Sequence, residues 1–514
     1  MFYFNQSSRR RINISKIKKS TLESDSNFLS FAVEFQPIFT AFFLRFTMAK
    51  KKDTQTNMWT GRFASGMAQS MVDLSFSLQF DAELIEEDIE GSIGHGKGLV
   101  ESGVLSKADY KKICDGLKSI LDDYHAGKNL WCDSDEDIHM AVERVLTERI
   151  GALGKKIHTG RSRNDQVCTD FKLYMRHRAA EIRALEVELM ETVLDLAKKY
   201  FGKMMPGYTH LQQAQPIYFS HYLMSMFFAV SRDVKRLDNF LELHSQLPLG
   251  SGAMAGSAFP YHRALVAEAL GFKDVSPNSI DAVSHRDMML EFEADLAIIA
   301  NTMSRYAEDF VNWSSCEFGF LTLHDAFSSG SSMMPQKKNP DSMELIRGKS
   351  GRMLGNFTSL YTLVKGAPLS YSRDLQEDKE PVFDSVHNVK VILRVMKEAL
   401  ETARFNFETM HAKMLPALLA TDLADLLVEA GVPFRDAHHI VGSLVGDAAR
   451  QGKQFTELSD EAWAAAGVPD VAKMKKTLTF EYSISKRNIE GGTGPKSVKQ
   501  QFTKAAAILK KLKK

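Results

Sequence analysis

Four stretches of the chain contain neither glycine nor proline: Cys168–Phe201, Ile217–Leu247, Asn278–Phe318 and Val382–Leu415. Each runs about 30 to 40 residues, well beyond the roughly 11–12 of an average globular helix. Between Arg286 and Trp313 the apolar residues Met289, Phe292, Leu296, Ile299 and Met303 recur at steps of three and four, the spacing of one helix face. Asp287, Glu291, Glu293 and Asp295 are interspersed, which excludes a membrane span. At about 1.5 Å per residue such helices reach roughly 45–60 Å. They can bury their apolar faces only against one another. The expected fold is all-α, an elongated bundle of long helices. Strand signals are sparse, and neither a dinucleotide-binding glycine fingerprint nor a phosphate-cradling loop occurs.

With 514 residues, 44% apolar and 25% charged, the chain reads as a globular protein of about two to four structural units. A formal net charge of +1 supplies no field that would draw nucleic acid or an anionic membrane, so neither partner is expected. Cys114, Cys132, Cys168 and Cys316 are scattered without Cys-x-x-Cys pairing, as free thiols of a reducing, cytoplasmic compartment would be. His438 and His439 are adjacent and diverge around a helix, so no metal-ligand set emerges.

Residues 1–47 do not match the rest. They open with Arg9-Arg10-Arg11, continue through Lys16, Lys18 and Lys19, and turn Phe-rich from Phe28 to Phe46. Glu34 and Pro37 interrupt that apolar run, and no small-residue cleavage site follows. We read a disordered or artefactual extension, with a targeting segment as the alternative, because Met48-Ala49-Lys50-Lys51-Lys52 has the form of a protein start. Beyond it we expect an N-terminal helical domain over 48–162, the long-helix bundle over 163–415 and a small helical C-terminal domain over 416–514. The first helix of that last domain, Ala417–Ala430, stops at Gly431-Val432-Pro433.

Between the helices lie polar islands of the kind that carry function when a rigid scaffold positions them. His158-Thr159-Gly160-Arg161-Ser162-Arg163-Asn164-Asp165-Gln166 crowds arginines, hydroxyls and an amide at a helix start, a good receptor for carboxylates. A cap with solvated charges reads as well. Gly207-Tyr208-Thr209-His210-Leu211-Gln212 holds a histidine, the side chain best suited to proton transfer near neutral pH, although a lone histidine is more often a satisfied bystander. The segment 328–340, Ser328-Ser329-Gly330-Ser331-Ser332-Met333-Met334-Pro335-Gln336-Lys337-Lys338-Asn339-Pro340, joins a Gly/Ser stretch to two lysines and an amide, and Glu344 follows. By composition it is a surface loop. Tyr371-Ser372-Arg373-Asp374-Leu375-Gln376-Glu377-Asp378-Lys379-Glu380 alone is a solvated charge cluster.

Together these islands resemble the fumarase/aspartase superfamily of lyases. Gly330, Ser331, Ser332, Met334, Pro335, Lys337 and Asn339 match its signature, and about seven fixed positions make chance agreement negligible. His158–Gln166, Gly207–Gln212, Gln336–Asp341 and Asp374–Glu380 are similar specifically to the argininosuccinate lyase family. The resemblance runs from Trp59-Thr60-Gly61-Arg62-Phe63 to Gly491-Gly492-Thr493 and omits the first 47 residues. Thr60 and Ser75 depart from the family pattern, where Gly and Asn are usual; the second departure bears on contacts near Ser77.

What the resemblance implies is a three-domain subunit whose central bundle forms a tetrameric helical core of the fumarase/aspartase type. Each active site would draw on three subunits of a homotetramer. The implied reaction is elimination of argininosuccinate to arginine and fumarate, with no metal or organic cofactor. Ser331 would take the proton, activated by a nearby lysine and loop donors. His210 would be the acid toward the departing nitrogen, oriented by Glu344. The two proton roles could be exchanged, or water could mediate one. Lys337 and Asn339 would stabilise the charge that develops on the carboxylate. Ser77, Arg161, Asn164, Thr209, Asn339, Tyr371, Gln376 and Lys379 match substrate contacts, with Arg161 and Lys379 suited to carboxylates. Two alternatives stand beside this: a sister lyase acting on another succinyl adduct such as adenylosuccinate, and a crystallin-like structural protein on the same fold.

Overall fold

The computed structural model describes residues 66–513; the extension read over 1–47, the start at Met48 and Thr60 lie outside them. The longer helices are α1 (Ile85–Glu101), α2 (Lys107–His125), α3 (Ile138–Ile150), α4 (Arg163–Lys199), α5 (Phe219–Leu243), α6 (Asp287–Ser314), α7 (Asp341–Val364), α8 (Lys379–Thr402), α9 (Ala420–Glu429), α10 (Phe434–Arg450) and α11 (Pro495–Leu512). Strands β1 (Met204–Thr209) and β2 (Gln212–Tyr218) form an antiparallel hairpin, and the other strands among the described residues are two-residue pairings. The all-α expectation holds.

Helices α4 to α8 run up, down, up, down, up, each packing along its neighbours. Their shared faces bury Phe171, Ile182, Met190, Phe227, Phe240, Phe292, Ile299, Met353 and Val389. The apolar core is continuous with residues of α1 to α3 and, through Ala505 and Leu509, with α11. A separate core of Leu423, Leu427, Leu444 and Trp463 lies under α9 and α10. No helix among the described residues is long and apolar enough to cross a membrane.

The Gly/Pro-free stretches become α4, α5, α6 and α8, with bounds set by side chains. Ser162 and Asp165 form a capping box that starts α4 at Arg163. Asn278–Phe318 is split at His285-Arg286 into a short helix, Ser279–Ser284, and α6. There Arg286 turns inward and its Nε donates to Asp378 Oδ2 at 2.8 Å. The stretch Val382–Leu415 leaves the helix after Thr402, because Arg404–Phe405 pairs with Leu321–Thr322.

The bundle core is not wholly apolar. Glu186 on α4 is fully buried, and neither of its carboxylate oxygens has a hydrogen-bond partner. Burial, with Asp233 and Asp295 nearby, raises its carboxyl far above the ordinary 4.5. The folded state thus holds this proton more tightly than the unfolded chain. The contribution to stability is complete below pH 4.5 and is lost as pH rises. Glu186→Met fills the same space without a charge and should stabilise the fold by about 1–4 kcal/mol at neutral pH. The gain should shrink toward acid pH. Thermal denaturation across pH checks it, and a variant no more stable than the parent at alkaline pH contradicts it.

Candidate active site

The islands fall at the two ends of the bundle. At the end where α4, α6 and α8 begin, Ser77 starts the short helix Leu78–Asp81; its Oγ donates to Asp81 Oδ2 at 2.6 Å. Asp81 Oδ1 in turn accepts from the Ile138 N–H at 3.0 Å. Burial and the neighbouring Asp137 charge raise the Asp81 carboxyl. Gln376 Nε2 and Arg373 Nη2 both donate to the Ser75 carbonyl, at 3.1 and 2.7 Å. The departure at Ser75 therefore leaves a backbone contact that any residue type supplies.

Lys379 is buried at the start of α8, and its Nζ donates to Asp378 Oδ1 at 2.9 Å. Asp378 Oδ2 is held by Arg286, so two buried cations share one carboxylate. The uncompensated positive charge is a receptor for an anion. Tyr371 lies half-exposed beside it; burial raises its phenol, and the Lys379 charge opposes that rise. Across the start of α4, Asn164 Nδ2 donates to the Ala253 carbonyl at 3.1 Å. Buried Arg161 donates through Nη1 to Ser92 Oγ at 3.0 Å, while its Nε has no partner. Burial and the Arg161 charge push His158 down to about 4, so it is neutral at physiological pH.

At the far end, Thr209 and His210 are exposed at the tip of the β1–β2 hairpin. Thr209 pairs with Gln212, which leaves His210 and Leu211 as a two-residue turn with φ of 54° and 56°. Two left-handed residues in succession make a type I′ turn, which Asn-Gly ordinarily occupies. A histidine and a leucine there hold a strained backbone, a feature that clusters at functional sites. The turn presents the imidazole outward.

The signature segment leaves the far end of α6 and leads into α7. Ser329 and Asn339 pair across its neck, with the Asn339 N–H donating to the Ser329 carbonyl at 2.8 Å. Ser331 Oγ accepts from the Met333 and Met334 N–H groups at 3.2 and 3.0 Å. Donors aimed at that oxygen favour its anionic form. Lys338 is tied to Asp325 at 2.6 Å, while Lys337 is exposed with no side-chain partner among the described residues, and Met333 is 87% exposed. Glu344 is exposed in the first turn of α7. No hydrogen bond joins it to His210 within the described chain.

The structure thus brings together Ser77, Arg161, Asn164, Tyr371, Gln376 and Lys379 at one end. Thr209, His210, Ser331, Lys337, Asn339 and Glu344 stand at the other. The 37 residues of α4 separate Asn164 from the hairpin by about 55 Å. Reasoning from sequence did not single out Asp165, whose Oδ2 accepts from the Gly250 and Gly252 N–H groups at 3.0 and 2.8 Å and ties the 250–256 loop to α4. Its position three residues after Ser162, in a capping box, was the available signal.

The family model for "Lyase" matches residues 61–355, and that for "Argininosuccinate lyase C-terminal" matches residues 417–485. The argininosuccinate lyase of Herpetosiphon aurantiacus is 46% identical over 452 residues, covering 88% of this chain and 99% of that protein. That of Moorella thermoacetica is 45% identical over 453 residues, covering 88% and 98%. Among solved structures, EDDS lyase in complex with formate superposes with a TM-score of 0.77 at 26% identity, covering 86% of this chain and 89% of that one. Class II fumarase from Schistosoma mansoni shares the fold, with a TM-score of 0.67 at 16% identity over 78% and 90% of the two chains. With end-to-end identity of this size to argininosuccinate lyases, and with the family's polar islands on the fold of fumarate-releasing lyases, this chain belongs to the argininosuccinate lyase family.

Proposed function

We propose that the chain cleaves argininosuccinate to arginine and fumarate by acid–base elimination in a site completed by neighbouring subunits of a homotetramer. The observation that carries the reaction is identity near 45% over 88% of the chain to argininosuccinate lyases, with every signature position occupied. In the proposed mechanism Ser331 removes the proton next to a carboxylate, helped by the two N–H groups that face its Oγ. Negative charge then builds on that carboxylate and is met by Lys337 and Asn339. His210 protonates the departing guanidino nitrogen, oriented by Glu344 as its carboxylate partner. Ser77, Asn164, Thr209, Tyr371 and Gln376 hold the polar parts of the substrate, and Arg161 and Lys379 its carboxylates. This chemistry asks for no metal or organic cofactor.

What supports the tetramer is the separation of the two groups of residues along α4, which one chain cannot close. Leu345, Leu354 and Tyr361 add to it, since all three stand more than half exposed along α7, where a partner helix would cover them. The scattered free cysteines suit a cytoplasmic setting.

The test follows fumarate's ultraviolet absorbance with purified enzyme. Absorbance should rise with argininosuccinate and stay flat with adenylosuccinate. The reverse preference would assign a sister reaction, and silence with both would leave a structural protein on this fold.

A further inference from the structure

Beneath the loop that carries Arg161 and Asn164, Asp88 of α1, His139 of α3 and Asp170 of α4 meet, each no more than 2% exposed. His139 Nδ1 lies 2.7 Å from Asp88 Oδ1 and 3.3 Å from Asp170 Oδ2. Among the described residues this is the one group of His, Cys, Asp and Glu close enough to share a cation. Yet the ring nitrogen a cation would need is already hydrogen-bonded to Asp88 Oδ1, and Asp170 Oδ2 stands beside it with no hydrogen bond of its own. The close approach of the imidazole to both carboxyls accounts for the grouping.

The surroundings are shaped to it. A Cβ on Gly91 of α1 would stand 2.5 Å from Asp170 Oδ1, so any larger residue there would displace the carboxyl. From Asp88 the contacts continue upward. Gln166 Nε2 donates to Asp88 Oδ1 at 2.7 Å, and Gln166 Oε1 accepts from Arg163 Nη1 at 2.7 Å. Arg163 Nε also lies 3.0 Å from Asp137 Oδ2. An unbroken chain of side chains therefore joins the floor to the first turn of α4, which carries Asn164 and follows closely on Arg161.

Charge completes the picture. Burial opposes a charged His139, but the neighbouring Asp170 and Asp88 carboxyls prevail and raise the imidazole into a standing cation. Burial and the Asp88 charge raise the Asp170 carboxyl, so that it keeps its proton at neutral pH. Burial also opposes the Asp88 charge, yet His139 holds that carboxyl below the usual range. The groups facing Asp170 are Asp88 from α1, His139 from α3 and Arg161 from the loop. With one proton retained the cluster is neutral. Ionisation of Asp170 would place a net negative charge near the Arg161 guanidinium and draw it inward, away from a substrate carboxylate.

We propose that His139 is a positioning residue, a buried imidazolium whose bond to Asp88 and close contact with Asp170 lock the first turn of α4 and hold Arg161 and Asn164 toward a substrate carboxylate. This rests on the site reading given above, and the test separates the two. Kinetics of argininosuccinate cleavage are measured for His139→Gln, Arg161→Ala and Asp170→Asn in the full chain. His139→Gln should raise KM about tenfold or more while kcat falls less than about threefold, the pattern of lost binding. Arg161→Ala should raise KM at least as much. If Arg161→Ala raises KM and folded His139→Gln does not, the positioning role is overturned and the site reading stands. If Arg161→Ala leaves KM unchanged, the site reading fails and takes this role with it. Should His139→Gln not fold, Asp170→Asn decides. It fixes the neutral form, so KM of the parent should rise on the alkaline side of neutrality and that of the variant should not; a parent without the rise, or a variant with it, overturns the proposal.

Discussion

Ser331→Ala lowers turnover of argininosuccinate by about 10²- to 10⁴-fold, the contribution of a positioned general base. The expectation comes from the hydroxyl's surroundings. A serine hydroxyl is a poor base in water and becomes useful only where its anion is stabilised. Two backbone N–H groups, from Met333 and Met334, already converge on Ser331 Oγ. The adjacent side chains are solvent-facing, Met333 being 87% exposed, so the segment has room to fold over a bound substrate and exclude water. The same exposure makes the substitution a clean one. Among the described residues, Ser331's side-chain hydrogen bonds are to its own loop, and its loss should leave the melting temperature within a degree or so of the parent. KM should change little, because the proton is in flight only in the transition state. Stopped assays of fumarate release, with thermal denaturation of the same preparation, check both halves. Turnover close to the parent's would remove Ser331 from the role and return it to His210 or to water.

Much of this was legible in the chain, and the places where it was not have physical causes. Long runs without glycine or proline, with apolar steps of three and four, announced α4, α5, α6 and α8. Helix α7 was hidden behind Gly348, Gly351 and Gly355, which a propensity argument counts against a helix. Each of the three points a missing Cβ at open space among the described residues, and it is the burial of Met343, Ile346, Met353 and Leu360 on the other face that carries the helix. The break at Arg286 was invisible because its cause, Asp378, lies 92 residues away. The hairpin at His210 was equally silent, since a turn with two left-handed residues is normally flagged by Asn-Gly and here carries His-Leu. Motif matching found the polar islands between the helices. It passed over Asp88, His139 and Asp170, which sit in three ordinary helical stretches and become a unit only when those helices pack.

Mixing two inactive variants should restore activity, and the choice of pair matters. Lys379 stands where α4 and α6 begin and His210 where α4 ends, with the 37 residues of α4, about 55 Å, between them. Substrate the size of argininosuccinate cannot touch both within one chain. In a symmetric assembly it can, if one subunit's hairpin meets another's α8 start. His210→Asn and Lys379→Met should each be nearly inactive alone. When they are dissociated together and reassembled at equal amounts, about one site in four draws its hairpin from a Lys379 variant and its lysine from a His210 variant, and carries neither lesion. Recovery should approach about a quarter of parental activity, from a background near zero, which makes this the largest proportional gain expected of any experiment on the protein. If instead both residues of a site came from one chain, every hybrid site would carry one lesion and recovery would be nil. Subunit exchange verified by mass or by differently tagged chains, with no return of fumarate release, would therefore refute the shared site. A double variant carrying both lesions, mixed with the parent, supplies the internal control. By the same arithmetic it contributes chains that damage sites at either end and rescue none.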